Sequence, residues 1–478
     1  MSFQLSPDVD KNKVFIVQCS ALNERLDPEY YQPNHYQDLI LLKNSPYRND
    51  VLDRVCNRIV DGPFGSSIKA SDYVERGIPF IRVADVTRGE GSIKTDDLIF
   101  ITEEAHERII RSKVIPNDVV IAKTGATMGA ASLVPANIPE ANIRGDLAAL
   151  SLNENDCIPR YVVIYINTNI GQRLFWRLDS GGTRGRVVIG NLKKYPIVIP
   201  PKNIQEEVIK KMDNAYALKK QKEEDAQRSL DSIDDYLLGE LGINLVEPEE
   251  NTIQSRIFYR KLSDVSTSRF DASAYRKNLS LLSSTFPMEK FKNCVFINPL
   301  TLFHGIKANI EATFIPMECV SDIYGEADIS QIKNTEDSNG YTQFLENDLI
   351  WAKITPCMQN GKSAVVSNLV NGIGFGSTEF HVFRSKPDID IRYIHALLRL
   401  KILRYFATLY FSGSAGHQRV SDDFFRKLSI PKLPINKQLE IVKHIDEIRN
   451  RAKQLRQEAE ADLEKAKQEV EAMILGIE

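Results

Sequence analysis

Cysteine is sparse and scattered in this chain. Cys19, Cys56, Cys157, Cys294, Cys319 and Cys357 form no Cys-x-x-Cys pair, which argues against a disulfide framework or a thiolate zinc site. The expectation is a reduced cytoplasmic protein with six buried or inert thiols. Long apolar runs are also missing. None approaches the roughly 18 residues that span a bilayer, so no membrane association is expected. Residues 1–10 are polar and acidic where a signal peptide needs a basic and then an apolar stretch. His35, His106, His304, His381, His395, His417 and His444 show no metal-ligand spacing, and His395 on an apolar helix reads as packing. No Ser-His-Asp arrangement suggests itself, and no Asn-Pro-Pro-Tyr-like tetrapeptide marks adenine methylation. Asn360-Gly361-Lys362-Ser363 mimics the end of a P-loop, but Pro356 stands where the first glycine is required. Gly372-Ile-Gly-Phe-Gly376-Ser has the wrong spacing for a dinucleotide fingerprint and reads as a loop. Positive charge is not in excess either, since the net charge is −3.

What the chain does have is a duplication. Pro116-Asn117-Asp118-Val119-Val120-Ile121-Ala122-Lys123 returns about 230 residues on as Glu346-Asn347-Asp348-Leu349-Ile350-Trp351-Ala352-Lys353. Arg25-Leu26-Asp27-Pro28-Glu29-Tyr30-Tyr31 is echoed by Arg269-Phe270-Asp271-Ala272-Ser273-Ala274-Tyr275. Ser180-Gly181-Gly182 with Arg186-Val187 is echoed by Ser412-Gly413-Ser414 with Arg419-Val420. Pro201-Lys202-Asn203-Ile204-Gln205 is echoed by Pro434-Ile435-Asn436-Lys437-Gln438. Each copy then enters a long charged stretch closing on Leu238-Gly239 or Leu475-Gly476. A period this long is not a solenoid; it is a globular domain and a helix, written twice, which can fold with pseudo-two-fold symmetry.

Within each copy the pattern is α+β. Ile78–Val83, Asp118–Lys123 and Tyr195–Ile199 are short apolar runs bounded by Gly, Pro and Asn, and read as strands. Pro159–Thr168, Gly171–Arg177 and Ile391–Leu400 read as helices. Residues 1–24 read as a short leader, and Glu247-Pro248-Glu249-Glu250 as a linker.

Pro200, Pro201, Pro431 and Pro434 mark the entry to two long helices. In the second, Ile441, Ile445, Ile448, Ala452, Leu455 and Ala459 step by four and three, and Leu463, Ala466, Val470 and Met473 resume the pattern. That is a coiled-coil seam. The first has Ile204, Val208, Met212 and Ala215, then a polar middle, then Ala226, Leu230, Ile233 and Leu237. Two seams of similar length most simply pack on each other; the alternative is two amphipathic helices lying on their own domains. The two helical segments carry seven basic against ten acidic residues (202–242) and eight against ten (437–478). The remainder is therefore slightly positive, which is compatible with local basic patches.

With these residues laid out, the chain resembles the specificity (S) subunit of type I restriction-modification systems. The motifs that carry the resemblance are the Arg25–Tyr31 stretch, the Gly62-Pro63-Phe64-Gly65-Ser66-Ser67 loop in the first half only, the Gly77–Val83 strand, and the proline run followed by Gln205 or Gln438. The resemblance implies two target-recognition domains of mixed α/β structure on an antiparallel helical spacer. Their expected bounds are residues 1–200, a first helix at 201–243, a second domain at 244–432 and a second helix at 433–478. Each domain would read one half of a split site in double-stranded DNA. The helices would set the gap and dock two methyltransferase (M) subunits, with restriction (R) subunits completing the complex. No cofactor is expected in this chain; S-adenosylmethionine, ATP and Mg2+ would belong to the partners, and the chain itself would be non-catalytic. A similar subunit of a type IIB-like system, a protein-binding assembly scaffold, and an enzyme with an unrecognised site are the rival readings.

Three constellations are candidates for DNA contact. The first is Gly62, Phe64, Gly65, Ser66 and Ser67 with Lys69, a small-residue loop that can approach a phosphate or be a plain turn; Arg82 lies on the strand that follows. The second is Lys123 and Thr124, recurring as Lys353 and Thr355 with Lys362 beyond, at matching strand ends. These suit phosphate or base-edge contact, or are solvated hairpins. The third is Arg184 and Arg186, recurring as His417, Gln418 and Arg419, at loop tips. Arg can read guanine and Gln adenine; equally, the arginine can clamp the domain to the adjacent helix.

Overall fold

The computed structural model describes residues 9–10, 14–22, 26–63, 67–89, 91–180, 185–243, 257, 259, 284–301, 310–413 and 418–477. They divide into two compact units, Met1–Glu223 with Arg456–Glu478, and Glu224–Leu455. The Arg269–Tyr275 echo and the 247–250 linker lie outside the described residues.

In the first unit a four-stranded antiparallel sheet runs in the order Cys56–Asp61, Leu147–Leu152, Val119–Ala122, Ala131–Leu133. Every residue of Val119–Ala122 is buried, as an unbroken Val-Val-Ile-Ala run requires of a strand covered on both faces. A second sheet, in the order Tyr73–Val74, Ile99–Ile101, Ile78–Ile81, Ala141–Ile143, Lys113–Val114, contains one parallel pairing, Phe80 with Asn142. Helices Pro159–Asn167 and Asn169–Trp176 pack into the core beside Val119 and Ile121. A ribbon of Arg48–Val51 against Pro196–Ile199 closes the domain where the first long helix begins.

The second unit repeats this plan. Val295–Ile297, Phe380–Ser385, Leu349–Ala352 and Ser363–Val365 form the same four-stranded order. In its second sheet Glu311–Ile315 runs parallel to Ile373–Gly376, flanked by Ile332–Asn334 and Thr342–Leu345. Helices Ile391–Arg399 and Lys401–Thr408 and the ribbon Met288–Lys290 with Ser429–Pro431 complete the match. The architecture is α+β with an internal duplication. The segment read as a loop at 372–377 is corrected here: Ile373–Gly376 is a buried strand. Its glycines serve close approach. A Cβ on Gly376 would sit 1.9 Å from the Ile315 carbonyl oxygen, and one on Gly374 would sit 2.3 Å from the Phe344 ring.

The two long helices, Lys202–Glu240 and Ile435–Leu475, span 39 and 41 residues and pack together along the expected seams. In the first unit Val208 and Met212 share a core with Leu463, Ala466 and Val470. In the second unit Leu237 shares one with Ile441 and Ile445. The pairing is antiparallel: Lys211 meets Glu469, Lys219 meets Glu460 and Lys222 meets Glu458 and Asp462, while Glu240 meets Lys437. The polar middle of the first helix is therefore a site of cross-helix ion pairs rather than a break.

One expected helix end is also corrected. Gly239 lies inside the first helix, with open space where its Cβ would be. The terminator is Gly242, at φ +59, matching Gly476 at φ +66. Ile243 N–H reaches back to the Leu238 carbonyl as Ile477 N–H does to Ala472, so the repeated unit is Leu-Gly-Ile. Only glycine adopts this left-handed turn without steric penalty.

Candidate nucleic-acid interface

In both domains the residue after the central strand is lysine, and the backbone there is tied in the same way. Lys123 N–H donates to Asp146 C=O at 2.8 Å, and Lys123 C=O accepts from Val187 N–H at 2.9 Å. Lys353 N–H donates to Glu379 C=O at 2.9 Å, and its C=O accepts from Val420 N–H at 2.9 Å. One residue on, Thr124 bridges Arg186 and Ile354 bridges Arg419. Gly125 N–H then reaches Gly185 C=O at 3.3 Å, and Thr355 N–H reaches Gln418 C=O at 3.0 Å. The second and third sequence constellations are thus one site in each domain: a strand-end loop zipped to the segment that leaves the glycine-rich tip.

The charges at the two sites differ. Lys123 is 2% exposed, and its Nζ donates to Asp61 Oδ2 at 3.2 Å; burial pulls its ammonium below the usual lysine range, with Asp61 opposing. It stands behind the surface. Lys353 is half-buried, and its Nζ makes no hydrogen bond or ion pair among the described residues. It borders a concavity of about 440 Å3 with Asn298, Tyr341, Gln343 and His381. His381 is held below the usual imidazole range by burial and is stacked on Trp351, and Asp422 also lines the concavity, so it offers neutral donors and acceptors beside one cation and one carboxylate.

Arg419 forks onto Glu379, with Nε to Oε2 at 2.8 Å and Nη2 to Oε1 at 2.7 Å. That bond holds the Glu379 carboxyl below the ordinary range. Among the described residues the clamp is made within the domain, to the residue just before the Phe380–Ser385 strand. In the first domain Asp146 takes the corresponding place, accepting from Thr124 Oγ1 at 3.2 Å, and Arg186 N–H donates to Asp179 Oδ1 at 2.7 Å. These carboxylates were missed in the sequence. Their signal is an acidic residue immediately before an apolar strand in both halves: Asp146 before Leu147, Glu379 before Phe380.

The first constellation opens beside this one, since Gly62 N–H donates to Leu147 C=O at 3.2 Å and Lys123 Nζ reaches Asp61. Gly62 is required by contact: a Cβ there would lie 2.2 Å from the Arg144 backbone. Ser67 C=O accepts from Arg108 Nε, and Lys69 N–H donates to Asp72, leaving an exposed Lys69 on a braced turn. Arg82 is occupied by Asp85 and the Asp97 carbonyl, and Lys362 Nζ by the Met317 carbonyl. In the second domain the corresponding edge strand stops at Ile297, where left-handed Asn298 turns the chain and donates to His381; residues 298–301 contain no glycine. Phe64, Gly65, Ser66, Arg184 and His417 lie outside the described residues.

Among the described residues no cluster could hold a metal ion, and no helix is long and apolar enough to cross a membrane. Cys157 and Cys294 are buried, while Cys19 is exposed. Burial pushes Cys56 and Cys157 up to about 12, so both are protonated and unreactive.

The EcoEI and EcoAI type I restriction enzyme specificity subunits of Escherichia coli are 35% and 36% identical over 168 and 167 residues. Each alignment takes in 34% of this chain and spans only 28% of the relative's length. A chain from a structural study of complex assembly and conformational transition of the type I R-M system matches at 13% identity with a TM-score of 0.53. It covers 90% of this chain and 97% of that one, a likeness of fold. The family model described as the type I restriction modification DNA specificity domain matches twice, at residues 65–228 and 304–465, in the two halves of the duplication. On that double match, the chain belongs to the type I restriction modification DNA specificity domain family.

Proposed function

We propose that the chain is the DNA sequence-recognition subunit of a type I restriction-modification complex, each domain reading one half of a bipartite site in double-stranded DNA. The observation that carries the reading is the recurrence of the family match in both halves, each with the same zipped loop pair at Lys123–Gly125 and Lys353–Thr355. The domains are taken as residues 1–200 and 244–432, with spacer helices at 201–243 and 433–478. Base-edge and phosphate contacts are assigned to the loops at 62–69, 123–124, 184–186, 353–355 and 417–419. The long helices set the gap and dock two methyltransferase subunits; restriction subunits join them. S-adenosylmethionine, ATP and Mg2+ act in those partners in the cytoplasm, and this chain supplies sequence choice without catalysis.

The test is methylome sequencing of a host carrying this chain with its methyltransferase partner, against a host lacking only this chain. A bipartite methylated motif is expected in the first and absent from the second. An unchanged methylome, with the methyltransferase expressed in both, overturns the reading and favours a scaffold.

A further inference from the structure

The second unit holds a polar cavity of about 340 Å3, lined by none of the residues proposed above for DNA contact. Asp231 and Asp234 of the first long helix, Asp322 from a domain loop, Arg399 and Arg404 from the paired helices, and Arg449 of the second long helix line it. Arg399 is held by carbonyls: Nη1 donates to Gly361 at 2.6 Å, and Nη2 to Asp322 and Ile323 at 2.7 and 2.9 Å. Arg404 donates to the carbonyls of Arg399 and Gln359. The Arg449 side chain is only 13% exposed, its nearest carboxylate oxygen is Asp446 Oδ1 at 3.8 Å, and its guanidinium makes no hydrogen bond among the described residues. Two of the lining carboxylates are engaged, since Asp231 pairs with Lys401 Nζ at 3.1 Å and Asp234 accepts from Lys401 N–H at 2.9 Å.

Three guanidiniums therefore converge on one cavity without a carboxylate in hydrogen-bond range of any. Burial, then Arg449 and Arg404, push the Arg399 guanidinium down to about 9, and Asp234 and Asp322 offset only part of this. A buried cation needs a paired anion, and a guanidinium fork matches the oxygens of a phosphate two at a time. We propose that this cavity is an oxyanion site that takes a phosphate group, gripped by Arg449 in the field of Arg399 and Arg404. The phosphate is either free or a backbone phosphate of bound DNA.

The test is calorimetric titration of inorganic phosphate into the full chain, with chloride at matched ionic strength as the control. Saturable binding is expected, weakened about tenfold or more in Arg449→Gln, the scale of one lost charged hydrogen bond. Arg449→Lys keeps the charge but not the fork, so it serves if the glutamine variant fails to fold, and it too is expected to bind more weakly. Repeating the titration with excess duplex separates the sources: phosphate excluded by DNA assigns the site to the backbone, and phosphate still bound assigns it to the free ion. No saturable binding in the wild type, or equal affinity in both Arg449 variants and the wild type, overturns the proposal. Neither result bears on the methylome experiment.

Discussion

Two glutamines do the same work in the two halves. Gln205 and Gln438 are fully buried. Gln205 Oε1 accepts from Ile158 N–H at 2.9 Å, while its Nε2 donates to the carbonyls of Asp156 and Pro200 at 3.0 and 2.9 Å. Gln438 Oε1 accepts from Asp390 N–H at 2.9 Å, and its Nε2 donates to Asp388 and Leu433 at 3.0 and 2.8 Å. Each amide thus pins the first turn of a long helix to the loop that opens the Pro159–Asn167 or Ile391–Arg399 helix of its own domain. Alanine would strand one part-buried N–H, one part-buried carbonyl and one buried carbonyl, at about 1–3 kcal/mol for a buried unsatisfied group before relaxation and water entry. Gln438→Ala is expected to lower local stability by roughly 2–4 kcal/mol on that basis. Hydrogen exchange is the measurement: the Asp390 amide should lose protection while that of Ile158 keeps it. Unchanged exchange at Asp390 would show that the lock carries no stability.

The ends of the long helices show which features of these elements can be read from a sequence. A Cβ on Gly476 would meet Pro46 Cγ at 2.5 Å at a φ of +66, so strain and contact act together. Gly476→Ala should destabilise the first unit by at least about 1–2 kcal/mol, the left-handed penalty alone. Gly239→Ala, in an open mid-helix position, should instead stabilise by about 0.5–1 kcal/mol. Urea unfolding of the two variants checks both signs, and the same sign for both would refute the assignment of the terminator. The pair Leu-Gly alone pointed to Gly239; only the third letter, Ile243 matching Ile477 where Glu240 does not, separates Leu241-Gly242 from it. The seams were legible because Ile441, Ile445, Ile448 and Ala452 alternate in steps of four and three, which only a helix buries on one side. The strand at Ile373–Gly376 was not, since its glycines are dictated by Phe344 and Ile315 from distant strands. Lys123 and Lys353 stood out through recurrence. Their pairing with Arg186 and Arg419 is set by hydrogen bonds across more than 60 residues of chain, and the burial of Lys123 depends on Asp61; no local pattern carries either.

Taken whole, the molecule is two separately cored units threaded by the same two helices. One core gathers Val208, Met212, Leu463 and Val470 beneath the first domain; the other gathers Leu237, Ile441 and Ile445 beneath the second. The hydrogen bonds that shape each loop site stay within one unit: Lys123, Asp146 and Val187 in the first, Lys353, Glu379 and Val420 in the second. Effects of substitutions in cores that share no side chains are close to additive. Under the proposed function, recognition by the two domains should therefore be separable. Lys353→Ala with Thr355→Ala removes a half-buried cation and a hydroxyl from the second site, and among the described residues neither side chain donates a hydrogen bond that braces the domain. The expected methylome keeps one half-site and the spacing of the wild-type motif and relaxes the other, with each lost base contact worth about 1–3 kcal/mol of discrimination. Loss of both halves in a variant that still assembles with its methyltransferase would mean that the two domains read DNA as a single coupled surface, and the separation of the cores would then have no functional counterpart.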